Sequence, residues 1–367
     1  MKTAINDLTV QKKRRALLQL LALSPCAGFF PNLAAQTVHA KKSLIAASFG
    51  TLPAPETITK VVSAGPVPDV FLLSVAPEKL LGFATMNINR ESRRFFPESI
   101  RNLPTTGRII GRGSVFPVEK LIALKPDIII DLGNVDDHYV STAERVHRQT
   151  GIPYVLIDGT LIDSAQQIRE VATILGVNER GMVLSHFVDT IMADAARVRD
   201  DDSKKKISVF YGRGADGLET GLSGSIHTEV LDILGTRNAA KPAGEKLVGR
   251  VSLEQLMQWQ PDVIVTMDAN YYAMLKKGGV WNNLNAVKNK KFYLAPSKIP
   301  FGWLDGPPSI NRVLGIIWMQ RTLYPETIAE DYFHAQIQAY YKLFYGYDLA
   351  LGDLKKILGD PEGWPTL

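Results

Sequence analysis

The sequence predicts an α/β fold: two Rossmann-like lobes with central sheets, joined by a long rigid spine helix, with a ligand cleft between the lobes. Three observations carry that expectation. The first is a segment that occurs twice. Val118-Glu119-Lys120-Leu121-Ile122-Ala123-Leu124-Lys125-Pro126-Asp127-Ile128-Ile129-Ile130 returns as Leu253-Glu254-Gln255-Leu256-Met257-Gln258-Trp259-Gln260-Pro261-Asp262-Val263-Ile264-Val265. Each copy reads as a short amphipathic helix, a Pro-Asp break and a buried strand. The second is an apolar stripe between the copies. Leu184, Val188, Ile191, Ala195 and Val198 recur at spacings of three and four, one face of a helix from about Glu179 to Arg199. Such a helix spans roughly 30 Å, the height of a small domain. The third is length: 367 residues exceed one ordinary core and suit two. Clefts between domains are where ligands bind.

The first forty residues stand apart. The chain carries 42 basic and 37 acidic residues, a formal charge of +5. Lys2, Lys12, Lys13, Arg14 and Arg15 against Asp7 alone supply most of that excess, leaving 37 basic and 36 acidic residues beyond Ala40. The remainder therefore has no charge excess that calls for nucleic acid or an anionic membrane. A basic start, then an apolar stretch from Ala16 to Phe30 too short to span a bilayer, reads as an export signal over residues 1–40. Val38-His39-Ala40 is one cleavage site and Ala34-Ala35 another. Arg14-Arg15-Ala16-Leu17-Leu18-Gln19 resembles the twin-arginine motif, with Lys13 where Ser or Thr is usual; an ordinary Sec signal is the other reading. Cys26 is the only cysteine, so a cleaved chain has no disulfide or thiolate metal site. Pro25 before it argues against a lipid anchor.

The elements follow in order. A strand is expected at Ile58–Ala64, a turn at Gly65-Pro66-Val67-Pro68, and a helix from Asp69 to Phe83 with a break at Pro77. Thr85 to Arg112 is basic and irregular. The first repeat ends in the strand Asp127–Leu132. A helix from Tyr139 to Gln149 leads to the strand Tyr154–Ile157, and Ser164–Leu175 is a helix ended by Gly176. Asn178 is the expected N-cap of the spine. These divide the mature chain into a first lobe at 41–176, the spine at 177–201, a second lobe at 202–345 and a tail at 346–367. In the second lobe, Ile207–Tyr211 is a strand, Gly212–Ser225 a Gly-rich loop and His227–Leu234 a helix. The second repeat then gives the strand Val263–Met267, and Lys291–Leu294 is the next. Ile310–Thr322 and Ile328–Tyr345 are the last helices.

Few residues announce chemistry. Gly212-Arg213-Gly214-Ala215-Asp216-Gly217 matches G-x-G-x-x-G after a strand, the pattern that opens a pyrophosphate-binding helix. Here more loop comes next, and Gly235-Thr236-Arg237-Asn238 offers no acid for a ribose. The histidines show no metal spacing, and no carboxylate pair stands out for hydrolysis. His227 is the one beside a Gly-rich loop; N-cap placement and ligand contact are both open to it. Arg108, Arg112 and Arg213 lie in loops at strand or helix ends, where α/β folds bind ligands, and their guanidinium groups suit an anionic ligand. Tyr211, Tyr271, Tyr272 and Trp303 offer flat walls. Phe301-Gly302-Trp303-Leu304-Asp305-Gly306-Pro307-Pro308-Ser309-Ile310-Asn311-Arg312 is the densest unusual segment; Asp305 or Ser309 can cap the helix after it.

Together, the export signal, the duplicated Glu-x-Leu…Pro-Asp-strand segment, the spine and the Gly-Trp-Leu-Asp-Gly-Pro-Pro segment resemble the periplasmic substrate-binding proteins of iron-complex ABC importers. The resemblance runs from about Lys42 to Tyr345. It implies an exported receptor that is not an enzyme and has no cofactor. Its ligand would be an iron(III) chelate such as a siderophore; haem, cobalamin, a nickel or cobalt chelate and molybdate are alternatives. It implies a permease dimer as partner, docking on Glu119 and Glu254, and a monomeric receptor. Ligand loops then match Gly65-Pro66-Val67, Arg108 to Arg112, Tyr211-Gly212-Arg213, Tyr271-Tyr272 and Phe301-Gly302-Trp303. The competing reading is an exported dinucleotide-dependent oxidoreductase. The segment after Gly217 separates them: a helix there favours the enzyme, continued loop the receptor.

Overall fold

The computed structural model describes residues 42–85, 92–110, 118–133, 135–240, 248–297 and 299–359. The expected export segment, its cleavage sites and Arg112 lie outside them.

The first sheet holds β1 (Ile45–Phe49), β2 (Val61–Ser63), β3 (Ile128–Leu132) and β4 (Tyr154–Ile157). Their order is β1-β4-β3-β2, with β1 antiparallel at the edge and the others parallel. The sequence reading starts at 58–64 and misses β1, whose Ala46-Ala47-Ser48 centre carries little β-branched signal. Helix α1 (Pro66–Val75) corrects the expected turn and helix. Pro66 and Pro68 sit in its first turn, where a missing N–H costs nothing, and it stops before Pro77. Helices α2 (Glu98–Arg101), α3 (Val118–Leu124) and α4 (Asp137–Thr150) surround this sheet. Asp136 caps α4 by accepting from the His138 and Tyr139 amides, and Gly151, at φ 73°, ends it.

Helices α5 (Ser164–Ile174) and α6 (Asn178–Arg199) carry the chain to the second sheet. Asn178 is the first residue of α6, not its cap; the cap position is Val177. The stripe Leu184, Val188, Ile191, Ala195 and Val198 is buried throughout. The second sheet holds β5 (Ser208–Gly212), β7 (Arg237–Asn238), β9 (Val263–Thr266) and β10 (Phe292–Leu294), ordered β10-β9-β5-β7 and all parallel. A two-stranded ribbon pairs β6 (Glu219–Gly221), inside the expected Gly-rich loop, with β8 (Val248–Arg250), to which the sequence assigns no element. Helices α7 (Glu229–Ile233), α8 (Leu253–Trp259), α9 (Ala269–Lys277), α10 (Asn285–Lys288), α11 (Arg312–Leu323) and α12 (Glu330–Tyr340) complete this half. The expected last helix changes to a π turn at Tyr341–Tyr345. The expected tail contains α13 (Leu351–Leu358), anchored by buried Leu354.

The duplication holds to single backbone angles. Lys125 and Gln260, the residues before each Pro, both adopt positive φ, 49° and 42°. Asp127 then accepts from the Thr59 and Lys60 amides, each at 2.8 Å, and Asp262 from the Ser208 amide at 2.8 Å. In both copies the Asp pins the start of the neighbouring parallel strand.

The strands alternate between two cores, as their period of two requires. Ile129, Tyr154 and Leu156 face one helical layer, and Phe210 and Ile264 another. Ile128, Ile130, Val155, Val209, Val263 and Val265 all face a shared core with α1, α5, α6, α11 and α12. Helix α11 is buried along its whole length. A belt of edge-to-face rings, Phe95 on Tyr341 at 5.5 Å and Phe96 on Tyr345 at 5.4 Å, ties the first lobe to the chain's end. Among the described residues no helix is long and apolar enough to cross a membrane.

Candidate functional site

In parallel sheets the loops at the carboxyl ends of the strands form the site. Here those ends converge. The Ser309 hydroxyl, beyond β10, donates to the Val67 carbonyl at the start of α1, at 2.8 Å. The Leu161 amide of the first lobe donates to Glu229 Oε2 at 2.9 Å. That carboxylate also takes Arg312 Nη1 at 2.6 Å, and Arg312 donates to the Ile226 carbonyl as well. The lobes meet closely: the gap left between them, lined by Val67, Phe71, Leu132, Ile226 and Pro308 among others, has a volume of only about 10 Å³.

On the second lobe a charged cluster holds chain neighbours of the gap's lining, His227 next to Ile226 and Asp305 shortly before Pro308. Arg213 follows β5 and pairs through Nε with Asp305 Oδ2 at 3.0 Å and through Nη1 with Glu219 Oε1 at 2.8 Å. His227 Nδ1 shares the same Asp305 oxygen at 2.8 Å, while Asp305 Oδ1 accepts the Gly306 amide at 2.7 Å. The Asp305 side chain is 3% exposed and that of Arg213 22%. Burial alone would raise the Asp305 carboxyl; the hydrogen bond and charge of His227, the Arg213 guanidinium and the Gly306 amide together hold it below the usual carboxylate range. The buried Tyr211 hydroxyl is pushed well up, first by burial and then by Asp305.

Several expectations need correction here. Arg213, expected to be open to an anionic ligand, lies between two carboxylates. Neither Asp305 nor Ser309 caps α11; the cap position is Asn311. Trp303 has no exposed surface, so it is core and not a wall. Tyr271 is equally buried and lies beneath the Gly-rich loop. A Cβ on Gly212 or Gly217 would collide with its ring, and Gly217 also needs φ +69°. These glycines make room for Tyr271, not for a pyrophosphate. Tyr272 packs on Phe292 in the same outer layer, ring centres 5.6 Å apart. The helix expected at His227 begins only at Glu229.

Other residues stay near the seam. Gly65 precedes α1, and the neighbour of Arg108, Ile109, donates its amide to the Ala64 carbonyl at 2.9 Å, so both lie at the carboxyl end of β2. Glu119 and Glu254 are exposed on α3 and α8, in matching places. Sequence reasoning misses Asp305 and Glu219 as Arg213's partners, and Glu229 with Arg312 as an interlobe tie. One signal was present: an Asp amid Phe301-Gly302-Trp303-Leu304 must find a partner if that apolar run is buried.

After Gly217 the chain forms β6 and no helix, which removes the basis for a dinucleotide site. Comparison with known proteins agrees. Residues 106–299 match the periplasmic binding protein family, and the chain belongs to it. It is 27% identical to an ABC transporter solute-binding protein from Sulfurospirillum deleyianum, with TM-score 0.75 over 83% of this chain and 95% of that one. It is 25% identical to the molybdate-binding protein MolA of Haemophilus influenzae, over 62% of this chain and 69% of that protein. It is also 25% identical to the iron(3+)-hydroxamate-binding protein FhuD of Bacillus subtilis, over 58% and 69%. The protein is thus a periplasmic solute-binding component of an ABC importer, and a binding protein, not an enzyme.

Proposed function

We propose that this protein captures an iron(III) complex of the siderophore type between its lobes, as a monomer. It then presents the complex to a permease dimer that docks on Glu119 and Glu254. One observation carries the choice of ligand: Arg213, the obvious anion clamp, is already balanced by Asp305 and Glu219. A bare dianion gains little there, whereas a chelate that carries its own metal needs no free cation. Among the described residues no three His, Cys, Asp or Glu side chains converge to hold an uncomplexed ion, so the metal would arrive already wrapped. Gly65 and Arg108 from the first lobe and Arg213 and His227 from the second are the proposed contacts. Arg112, in the stretch beyond Arg108, joins that proposal from outside the described residues. The hydroxamate relative supports this reading, and the molybdate relative supports an oxyanion instead.

Titration with a ferric trihydroxamate, followed by tryptophan fluorescence, tests it. Saturable quenching with one complex per chain is expected. A flat titration alongside saturable molybdate binding would replace the chelate with an oxyanion.

A further inference from the structure

We infer that Asp305 is a specificity-determining residue, which with Glu219 bars free tetrahedral oxyanions from the second lobe's side of the seam. The inference rests on the chelate reading above and says how the same site would reject the other class.

Asp305 Oδ2 receives both Arg213 Nε at 3.0 Å and His227 Nδ1 at 2.8 Å, so one buried oxygen spends a donor from each cation-forming side chain. Glu219 takes a second Arg213 nitrogen at 2.8 Å. Two carboxylates thus face one guanidinium, and Arg213, Asp305 and Glu219 together carry a net negative charge. The Gly306 amide, at 2.7 Å from Oδ1, fixes the carboxylate so that it cannot swing away. An oxyanion offers only acceptors and negative charge, and meets both here. A ligand bearing donor groups, or a metal centre, meets complementary groups. Repulsive groups placed against the unwanted ligand are one route to selectivity.

Calorimetric titration with sodium molybdate at fixed ionic strength decides this, on the wild type, Asp305→Asn and Glu219→Gln. The wild type should show no saturable heat up to about 1 mM, and each variant should bind molybdate at least about tenfold more tightly than that limit. Adding Arg213→Met to Asp305→Asn should abolish the gain. Glu219 is half-exposed, so Glu219→Gln decides the matter if Asp305→Asn does not fold. Micromolar molybdate binding by the wild type would overturn both the inference and the chelate reading. A wild type and variants that melt cooperatively yet all ignore molybdate would overturn the inference alone. The ferric trihydroxamate titration judges the chelate reading separately.

Discussion

At the scale of single residues, partnership matters more than position. Arg213 is legible as a site residue because it ends a parallel strand. Its two carboxylates are not, because Asp305 lies far along the chain and no spacing links them. With no carboxylate beside it, Arg213 could be removed freely from the empty protein. Paired as it is, Arg213→Ala strips a buried carboxylate of one of its partners. The variant should lose about 1–3 kcal/mol in denaturant unfolding, less than the full buried-pair cost because the guanidinium is partly solvated. Unchanged stability would mean that His227 and Gly306 satisfy Asp305 unaided.

At the scale of elements, legibility followed length and burial. The spine, α4 and the strands β3 and β9 could be read because a stripe or an unbroken β-branched run marks each. β1, β6, β7 and β8 could not, because they are partly exposed and built around Ala, Gly or polar residues. The Pro-Asp break shows what a repeated pair can encode. Both aspartates are held below the usual 3.8; burial opposes this, and the Thr59 and Lys60 amides or the Ser208 amide outweigh it. The sign comes from the lowered folded value. The stabilisation is fully present above the unfolded carboxylate pKa of about 4 and is lost as pH falls through the lower folded values. Wild type should therefore lose more stability between pH 6 and pH 3 than the double variant Asp127→Asn, Asp262→Asn, as read from melting temperatures. Parallel acid profiles for the two proteins would contradict this. Each Asp→Ala change alone should cost about 1–2 kcal/mol, the worth of a lost backbone cap.

At the scale of the whole molecule, the two-lobe plan was written in the duplication, but the shared core was not. The repeat says that there are two sheets; it says nothing of α11 and α12 returning to pack against both. Nor does it reveal Glu229, which joins the Leu161 amide of one lobe to buried Arg312 of the other. Glu229→Ala leaves that guanidinium buried without its carboxylate and should cost about 3–5 kcal/mol, measured by chemical denaturation. A cost near zero would show that water replaces the carboxylate. With this tie, the aromatic belt and an unbroken α6, the lobes should shift by only a few degrees on binding, because bending a helix breaks its internal hydrogen bonds. Solution scattering with and without ferric trihydroxamate checks that, and a large contraction would contradict it. Docking is separable from capture. Glu119→Ala with Glu254→Ala should leave ligand affinity intact while uptake falls, and normal uptake would remove both residues from the permease contact. The central claim, that this periplasmic receptor carries an iron chelate, is tested most directly by native mass spectrometry of the protein purified from its own periplasm. The account predicts one added mass per chain, of organic-chelate size and with the isotope pattern of a single iron. A molybdenum isotope pattern in its place would contradict it.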